Sequence, residues 1–228
     1  MAVECRSLTP QRVPAGGCLP LPDGCLIGLS GVGPGAALRC SAALIESGAT
    51  ALISWGCAAA LDPGMNPGDL ILPSRIACMD GATIDTDAAW RERLSRKLEA
   101  KLPVYSGMLA ESDRIVASAL EKHAIFAATG AQAVDMESAA AARAAQQFGL
   151  PFLAVRSIVD PADVTLPPSI HAAFDAHGML NVPNMVMRTL LRPVDFVGII
   201  RLGRHFGQAM ETLRLVAAMG REHHFALA

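Results

Sequence analysis

The chain is poor in aromatic residues, poor in charge and has no real excess of either sign. Phe, Tyr and Trp make up 4% of its 228 residues, Asp, Glu, Lys and Arg 18%, and the formal net charge is −2. With a pI near 6.3, this balance excludes the basic face of a dedicated nucleic-acid binder. No long hydrophobic run is present either. The cleanest, Ala51 to Leu61, is about half the length a bilayer span requires. The opening MAVECRSLTP carries Glu4 and Arg6 and lacks the apolar core of a signal peptide. Six cysteines (Cys5, Cys18, Cys25, Cys40, Cys57, Cys78) include no C-x-x-C pair and have few histidines near them, so no zinc site is expected. They read as buried, reduced thiols of a cytoplasmic protein.

What the chain does have is apolar substance: 52% hydrophobic residues, enough for one full core. Short apolar runs alternate with Ala-rich stretches. Residues 25–29 read as a strand, 36–47 as a helix closed by Gly48, 50–56 as a buried strand, and 69–72 as another, entered through Pro67-Gly68. Residues 88–101 read as a helix with Trp90, Leu94 and Leu98 on one face. Asp113 is placed to cap a helix starting at Arg114, 124–129 (AIFAAT) reads as a strand, 135–148 as an Ala-rich helix closed by Gly149, and 151–158 as a near-continuous apolar strand. Residues 161–168 read as a Pro-rich loop. Residues 195–219 read as a helix that Gly198, Gly203 and Gly207 weaken enough to break. Alternation of this kind predicts an α/β fold, a three-layer α/β/α sandwich around a mixed central sheet. The expected division is an α/β domain over 1–190 and a C-terminal helical extension over 191–228.

Ligands of open α/β sheets bind outside the carboxyl ends of strands, and four segments lie at such ends. Ser30-Gly31-Val32-Gly33-Pro34-Gly35-Ala36 fits G-x-G-x-x-A, but the next strand ends at Ser54-Trp55-Gly56 with no acid for a dinucleotide ribose. Amides around Ser30 and Gly31 facing an anion or a sugar fit better, and a tight turn for helix packing is the plain alternative. The small residues from Cys57 to Ala60 let a flat ligand approach the backbone, or simply let a helix pack. Asp135 and Glu137 flank Met136 at a strand-to-helix junction, where they can cap the helix or accept hydrogen bonds from a sugar diol. Asp160 ends a buried strand. A carboxyl at the rim of an apolar sheet tends to hold its proton, which suits a proton donor, and a loop acid is the alternative.

These stretches together resemble the nucleoside phosphorylase and nucleosidase superfamily. The carriers are SGVGPGAA, GATALISWGCAAALDPGMNPGDLILP, GMLAESDRIV and AVDMESAAAARAAQQFGLPFLAVRSIVDPAD, in order from about residue 25 to 163. The pairing of D-M-E-S with R-S-I-V-D is the most specific element. Leu166-Pro167-Pro168, the segment Phe174 to Gly178 and Leu191-Arg192-Pro193 resemble the hopanoid-associated subgroup. That likeness implies removal of adenine from an adenosyl-hopane, leaving ribosyl- or phosphoribosyl-hopane.

Carried over residue by residue, the resemblance implies Asp160 as general acid to adenine N7, Glu137 at the ribose hydroxyls and Met136 beneath the sugar. It places Ile115, Val116 and Ala59 around adenine, the last where relatives carry Gly. Glu4 matches the acid that activates the nucleophile, although that acid normally follows a first strand. Arg39 and Arg75 are the phosphate candidates, by position only. No metal or organic cofactor is implied, with phosphate the one co-substrate to consider, and the partner arrangement implied is a homodimer. The basic, apolar C-terminal segment (Phe196, Ile199, Ile200, Phe206, Leu213, Val216 with Arg192, Arg201, Arg204, Arg214, Arg221) suggests peripheral contact with an anionic membrane, against packing on its own domain or a second subunit. The competing readings are a 5′-methylthioadenosine/S-adenosylhomocysteine nucleosidase and a catalytically weak nucleoside-binding protein of the same fold.

Overall fold

The computed structural model describes residues 2–14, 16–167 and 195–221. In chain order the elements are α1 (Ala2–Leu8), β1 (Cys18–Pro20), β2 (Leu26–Gly28), α2 (Pro34–Glu46), β3 (Leu52–Ala60), β4 (Leu70–Ile71), β5 (Arg75–Ala77), β6 (Thr83–Asp85) and α3 (Ala88–Leu98). They continue with β7 (Val104–Tyr105), β8 (Met108–Glu111), α4 (Ala119–Thr129), β9 (Ala133–Asp135), α5 (Ser138–Gln147), β10 (Phe152–Asp160) and α6 (Asp195–Arg221). Eight strands form one mixed sheet in the order β6-β5-β8-β9-β3-β10-β4-β7, and β1 and β2 form a separate hairpin. The expected α/β class with a mixed central sheet between helices is what the chain adopts.

The two long strands, β3 and β10, lie side by side and parallel at the centre. Their side chains alternate between two apolar layers, as a sheet covered on both faces requires. Ala154 and Ile158 pack with the alanines of α5 and with Leu44 and Ile45 of α2. Leu153 and Val155 pack with Trp90, Leu94 and Leu98 of α3 and with Met210, Leu213 and Val216 of α6. Leu213 and Val216 are fully buried. That apolar stripe of the C-terminal helix therefore serves the protein's own core, while Arg201, Arg204 and Arg214 lie on its exposed side. Among the described residues no helix is long and apolar enough to cross a membrane.

Three local expectations are corrected. The helix expected from Arg114 under an Asp113 cap starts instead at Ala119, where the Ser118 side chain accepts a hydrogen bond from the Glu121 amide at 3.1 Å. The strand expected over 124–129 is the second half of that same helix, closed by Gly130 in the left-handed region at φ 68°. A short apolar run bounded by turn residues has no period to separate strand from helix, and the real strand, β9, is only three residues long. Finally, α6 is continuous through Gly198, Gly203 and Gly207. Gly198 has a packing reason: a Cβ there would lie 2.6 Å from Pro167 Cγ, so its absence lets the loop after β10 cross the helix. Phe174 to Gly178 and Leu191-Arg192-Pro193, which carry the hopanoid likeness, lie outside the described residues, as do the Pro168 end of the Pro-rich loop and the side chains of Phe196 and Arg221.

Candidate active site

The strand register brings the candidate residues together. Ala59 of β3 pairs with Asp160 of β10 on one side and with Val134 of β9 on the other, and Val134 pairs in turn with Ala110 of β8. A register shift between Ile158 and Asp160 lets Asp160 fall opposite Ala59. One line across four strands thus carries Asp160 at one end, with Met136 and Glu137 just past the end of β9. These residues line a cavity of about 900 Å³, together with Glu4, Ser30, Gly31, Cys57, Ala59, Ile115 and Val116. All ten residues expected at the site therefore share one cavity. Arg39 and Arg75 are not among its lining residues. Arg75 sits on the β5–β6 hairpin, paired with Asp85 at 2.8 Å, and Arg39 is exposed on α2. Neither of these phosphate candidates therefore stands with the acids of the cavity.

Glu137 occupies the N-cap position of α5, but its side chain does not cap the helix. Its Oε1 accepts the amide N–H of Gly33 at 2.9 Å, and Asp135 meets the Ser138 amide instead at 3.2 Å. Gly31 and Gly33 both adopt positive φ, 87° and 91°, which the turn needs to aim that amide at Glu137. Burial, and then the negative charge of Asp135, raise the Glu137 carboxyl above its ordinary value.

Beneath Glu137 lies a buried polar network. Arg156 Nε donates to Asp135 Oδ2 at 2.5 Å, and Nη2 donates to Ser54 Oγ at 2.6 Å and Ser138 Oγ at 3.1 Å. Ser138 Oγ in turn donates to Asp135 Oδ2 at 2.6 Å. This network fixes the D-M-E-S junction against the centre of the sheet.

Glu4 is in a helix, not after a strand, and it is neither frayed nor exposed. It is buried, and its Oε1 accepts the Cys57 amide N–H at 2.9 Å. Trp55 Nε1 donates to Ser7 Oγ at 2.9 Å and ties α1 to β3 a turn further on. Gly56 makes this approach possible, because a Cβ there would stand 2.6 Å from Arg156 Nη1 and 2.8 Å from Glu4 Oε1. Burial first, and then the Glu4 charge, push the Cys57 thiol well up, so it stays protonated.

Asp160 is buried, and burial raises its carboxyl to about 6 against the pull of Lys122 and Arg201. Oδ2 is held at 2.6 Å by Lys122 Nζ, which is itself fully buried. Oδ1 is buried and has no hydrogen-bond partner among the described residues. A buried acceptor left unmade is costly, and the residue that carries it is one of those lining the cavity. Sequence reasoning missed Lys122, which α4 delivers, because the stretch after it reads as a strand. It also missed Ile199, Leu202 and Phe206 of α6 as cavity wall. No cluster of three or more His, Cys, Asp or Glu that could hold a metal occurs among the described residues.

With this geometry in place, the comparisons define the class. Residues 24–190 match the model of the Phosphorylase superfamily, and the chain belongs to that family. No curated protein sequence matches it. Among solved structures it is similar to the 5′-methylthioadenosine/S-adenosylhomocysteine nucleosidase of Neisseria meningitidis in complex with methylthio-immucillin-A. That match has 21% identity and a TM-score of 0.72 over 97% of this chain and 96% of that one. The futalosine hydrolase of Helicobacter pylori matches at 17% identity and TM-score 0.71, covering 98% and 94%. The S-adenosylhomocysteine nucleosidase of Streptococcus pyogenes in complex with 5-methylthiotubericidin matches at 21% and 0.70, covering 98% and 93%.

Proposed function

We propose that this chain cleaves the N-glycosidic bond of an adenosine-type nucleoside, and that its substrate is an adenosyl-hopane. The observation that carries the reading is Asp160: a buried carboxyl whose Oδ1 has no hydrogen-bond partner among the described residues, lining the cavity that Glu137 and Glu4 also line. Adenine is a poor leaving group as an anion. An acid that gives N7 a proton as the C1′–N9 bond breaks lowers that barrier, by about 10²–10⁴-fold in rate. Asp160, held protonated up to about pH 6 by burial, is that acid. The ribose turns oxocarbenium-like as the base departs. Glu137 accepts its hydroxyls and stabilises the cation, and Met136 gives the sugar a dry, polarizable floor. Glu4 takes the proton of a water that attacks C1′, or orients a phosphate in its place. Ile115, Val116 and Ala59 flank the base, and Ser30, Gly31 and Cys57 complete the wall.

For the substrate, the size and walls of the cavity support a large apolar substituent on the ribose. Leu26, Ile27, Leu44, Ile53, Leu202 and Phe206 line it together with the acids. The alternative substrates are methylthioadenosine and adenosylhomocysteine, and the likeness to two nucleosidases of that class supports them. Adenine release from each of the three nucleosides, with and without phosphate, tests the reading. Release from adenosyl-hopane at a kcat/KM above the other two is expected. No release from any of them overturns the enzymatic reading, and faster release from methylthioadenosine overturns the hopane assignment. Phosphate dependence separates phosphorolysis from hydrolysis.

A further inference from the structure

We propose that Lys122 is a positioning residue for the proton transfer. It claims one oxygen of Asp160, so that the transferable proton resides on the other, and it holds the charge left behind when that proton has gone. This deepens the reading of Asp160 given above and rests on it.

The geometry is that of a built seat. The Lys122 stem runs inward from α4 to full burial, and its Nζ meets three acceptors: Asp160 Oδ2 at 2.6 Å and the carbonyl oxygens of Pro161 and Val164, each at 2.8 Å. An ammonium has three hydrogens, and all three are placed. The two carbonyls belong to the loop that directly follows Asp160, so the cation is fixed relative to that carboxyl whatever its protonation state. The loop is fastened in turn to the start of α4, where the Leu166 amide donates to the Ala117 carbonyl at 2.8 Å and the Ala119 amide to Thr165 Oγ1 at 3.1 Å. A lysine is almost never fully buried unless it is paired, and here the pairing leaves Oδ1 without a hydrogen-bond partner among the described residues.

The step balances without a further reactant. The Oδ1–H bond breaks and its electron pair stays on the carboxylate. The proton bonds to N7, and the C1′–N9 pair moves onto the base. Asp160 is neutral before the transfer and negative after it, so the attraction of Lys122 grows along the reaction and favours the transition state over the bound substrate. Among the described residues, the other charged groups that act on the pair are Arg201 of α6 and Asp163 of the loop, with His205 of α6 next to Arg201. Arg201 acts on Asp160 in the same sense as Lys122, Asp163 favours the ammonium, and His205 stands beside Val159. Burial opposes both charges of the pair, raising Asp160 and lowering Lys122.

The test uses the full chain with Lys122→Gln and Lys122→Met. In adenine-release assays, kcat is expected to fall about 10–100-fold with KM changed less than about 3-fold. The pH at which kcat falls on the alkaline side should rise by about one unit, because Asp160 loses a cation. Lys122→Arg should keep that limb near its wild-type position. A carbon NMR titration of the Asp160 carboxyl in the unliganded protein reads the same rise with no turnover at all. Should the wild type release no adenine, the functional reading fails while this titration still decides the role of Lys122. An Asp160 titration or an alkaline limb that does not move in folded Lys122→Gln overturns the proposal. The Gln variant keeps an N–H donor for the loop carbonyls and carries the test if the Met variant does not fold.

Discussion

Two aspartates end strands of the same sheet that lie on either side of β3, and they are put to different uses. Asp135, at the end of β9, spends its carboxyl on Arg156 and on the Ser138 amide and hydroxyl. Asp160, at the end of β10, is gripped by a buried cation through Oδ2, and its Oδ1 has no donor among the described residues. Both are buried and both have a cation. The difference is saturation. An acid with both oxygens engaged is a fastener, whereas an acid with one oxygen left without a donor beside a cavity can exchange a proton with what enters.

Substitutions can break this comparison from either end. Asp160→Asn keeps the shape and removes the exchangeable proton. Adenine release should drop by about 10²–10⁴-fold, as read by a coupled adenine assay, and the denaturant melt should show only the smaller loss that comes from leaving buried Lys122 without its carboxylate. Asp135→Ala should act the other way round. It takes from buried Arg156 its hydrogen-bonded carboxylate, leaving the charges of Glu137 and Glu4, and should lower stability by about 3 kcal/mol, seen as a loss in urea midpoint. An unchanged midpoint would show that Asp135 is no fastener. Gly56→Ala sharpens the picture on the Glu4 side. Its methyl would crowd Arg156 and Glu4 together, and overpacking of this kind costs about 1–3 kcal/mol. The accompanying loss of activity should exceed that of a surface variant of equal stability. Ser118→Ala removes the cap of the helix that carries Lys122 and should cost about 1 kcal/mol, with a small decrease in melting temperature.

Much of this was legible in the residues because the central elements are long. β3 and β10 each run nine residues, and their unbroken small or apolar character marks strands buried on both faces. Glu137 and Asp160 were legible through D-M-E-S and R-S-I-V-D, where an acid at a strand's end has a chemical meaning. The outer strands β5, β6, β8 and β9 have three or four residues each, too few for a period to show. Lys122 was hidden for that reason. With AIFAAT read as a strand, the lysine before it belonged to no element, and nothing local announces that a Lys will be drawn inward by two carbonyls forty residues away. Glu4 was legible as an acid but not as part of a helix, since seven residues give no amphipathic pattern. The cavity-facing side of α6 was hidden by its glycines, which read as a break when at least one of them is a clearance for Pro167.

The last helix joins two tasks that many proteins keep apart. Its middle turns, through Met210, Leu213 and Val216, complete the apolar layer on one face of the sheet, while its first turns supply Ile199, Leu202 and Phe206 to the cavity. It also lies wholly downstream of residues 24–190, which match the family. Changes of side chain in those first turns would retune what the pocket admits without touching the acids, and truncation ahead of residue 195 would strip the sandwich of a layer and the pocket of a wall in a single cut.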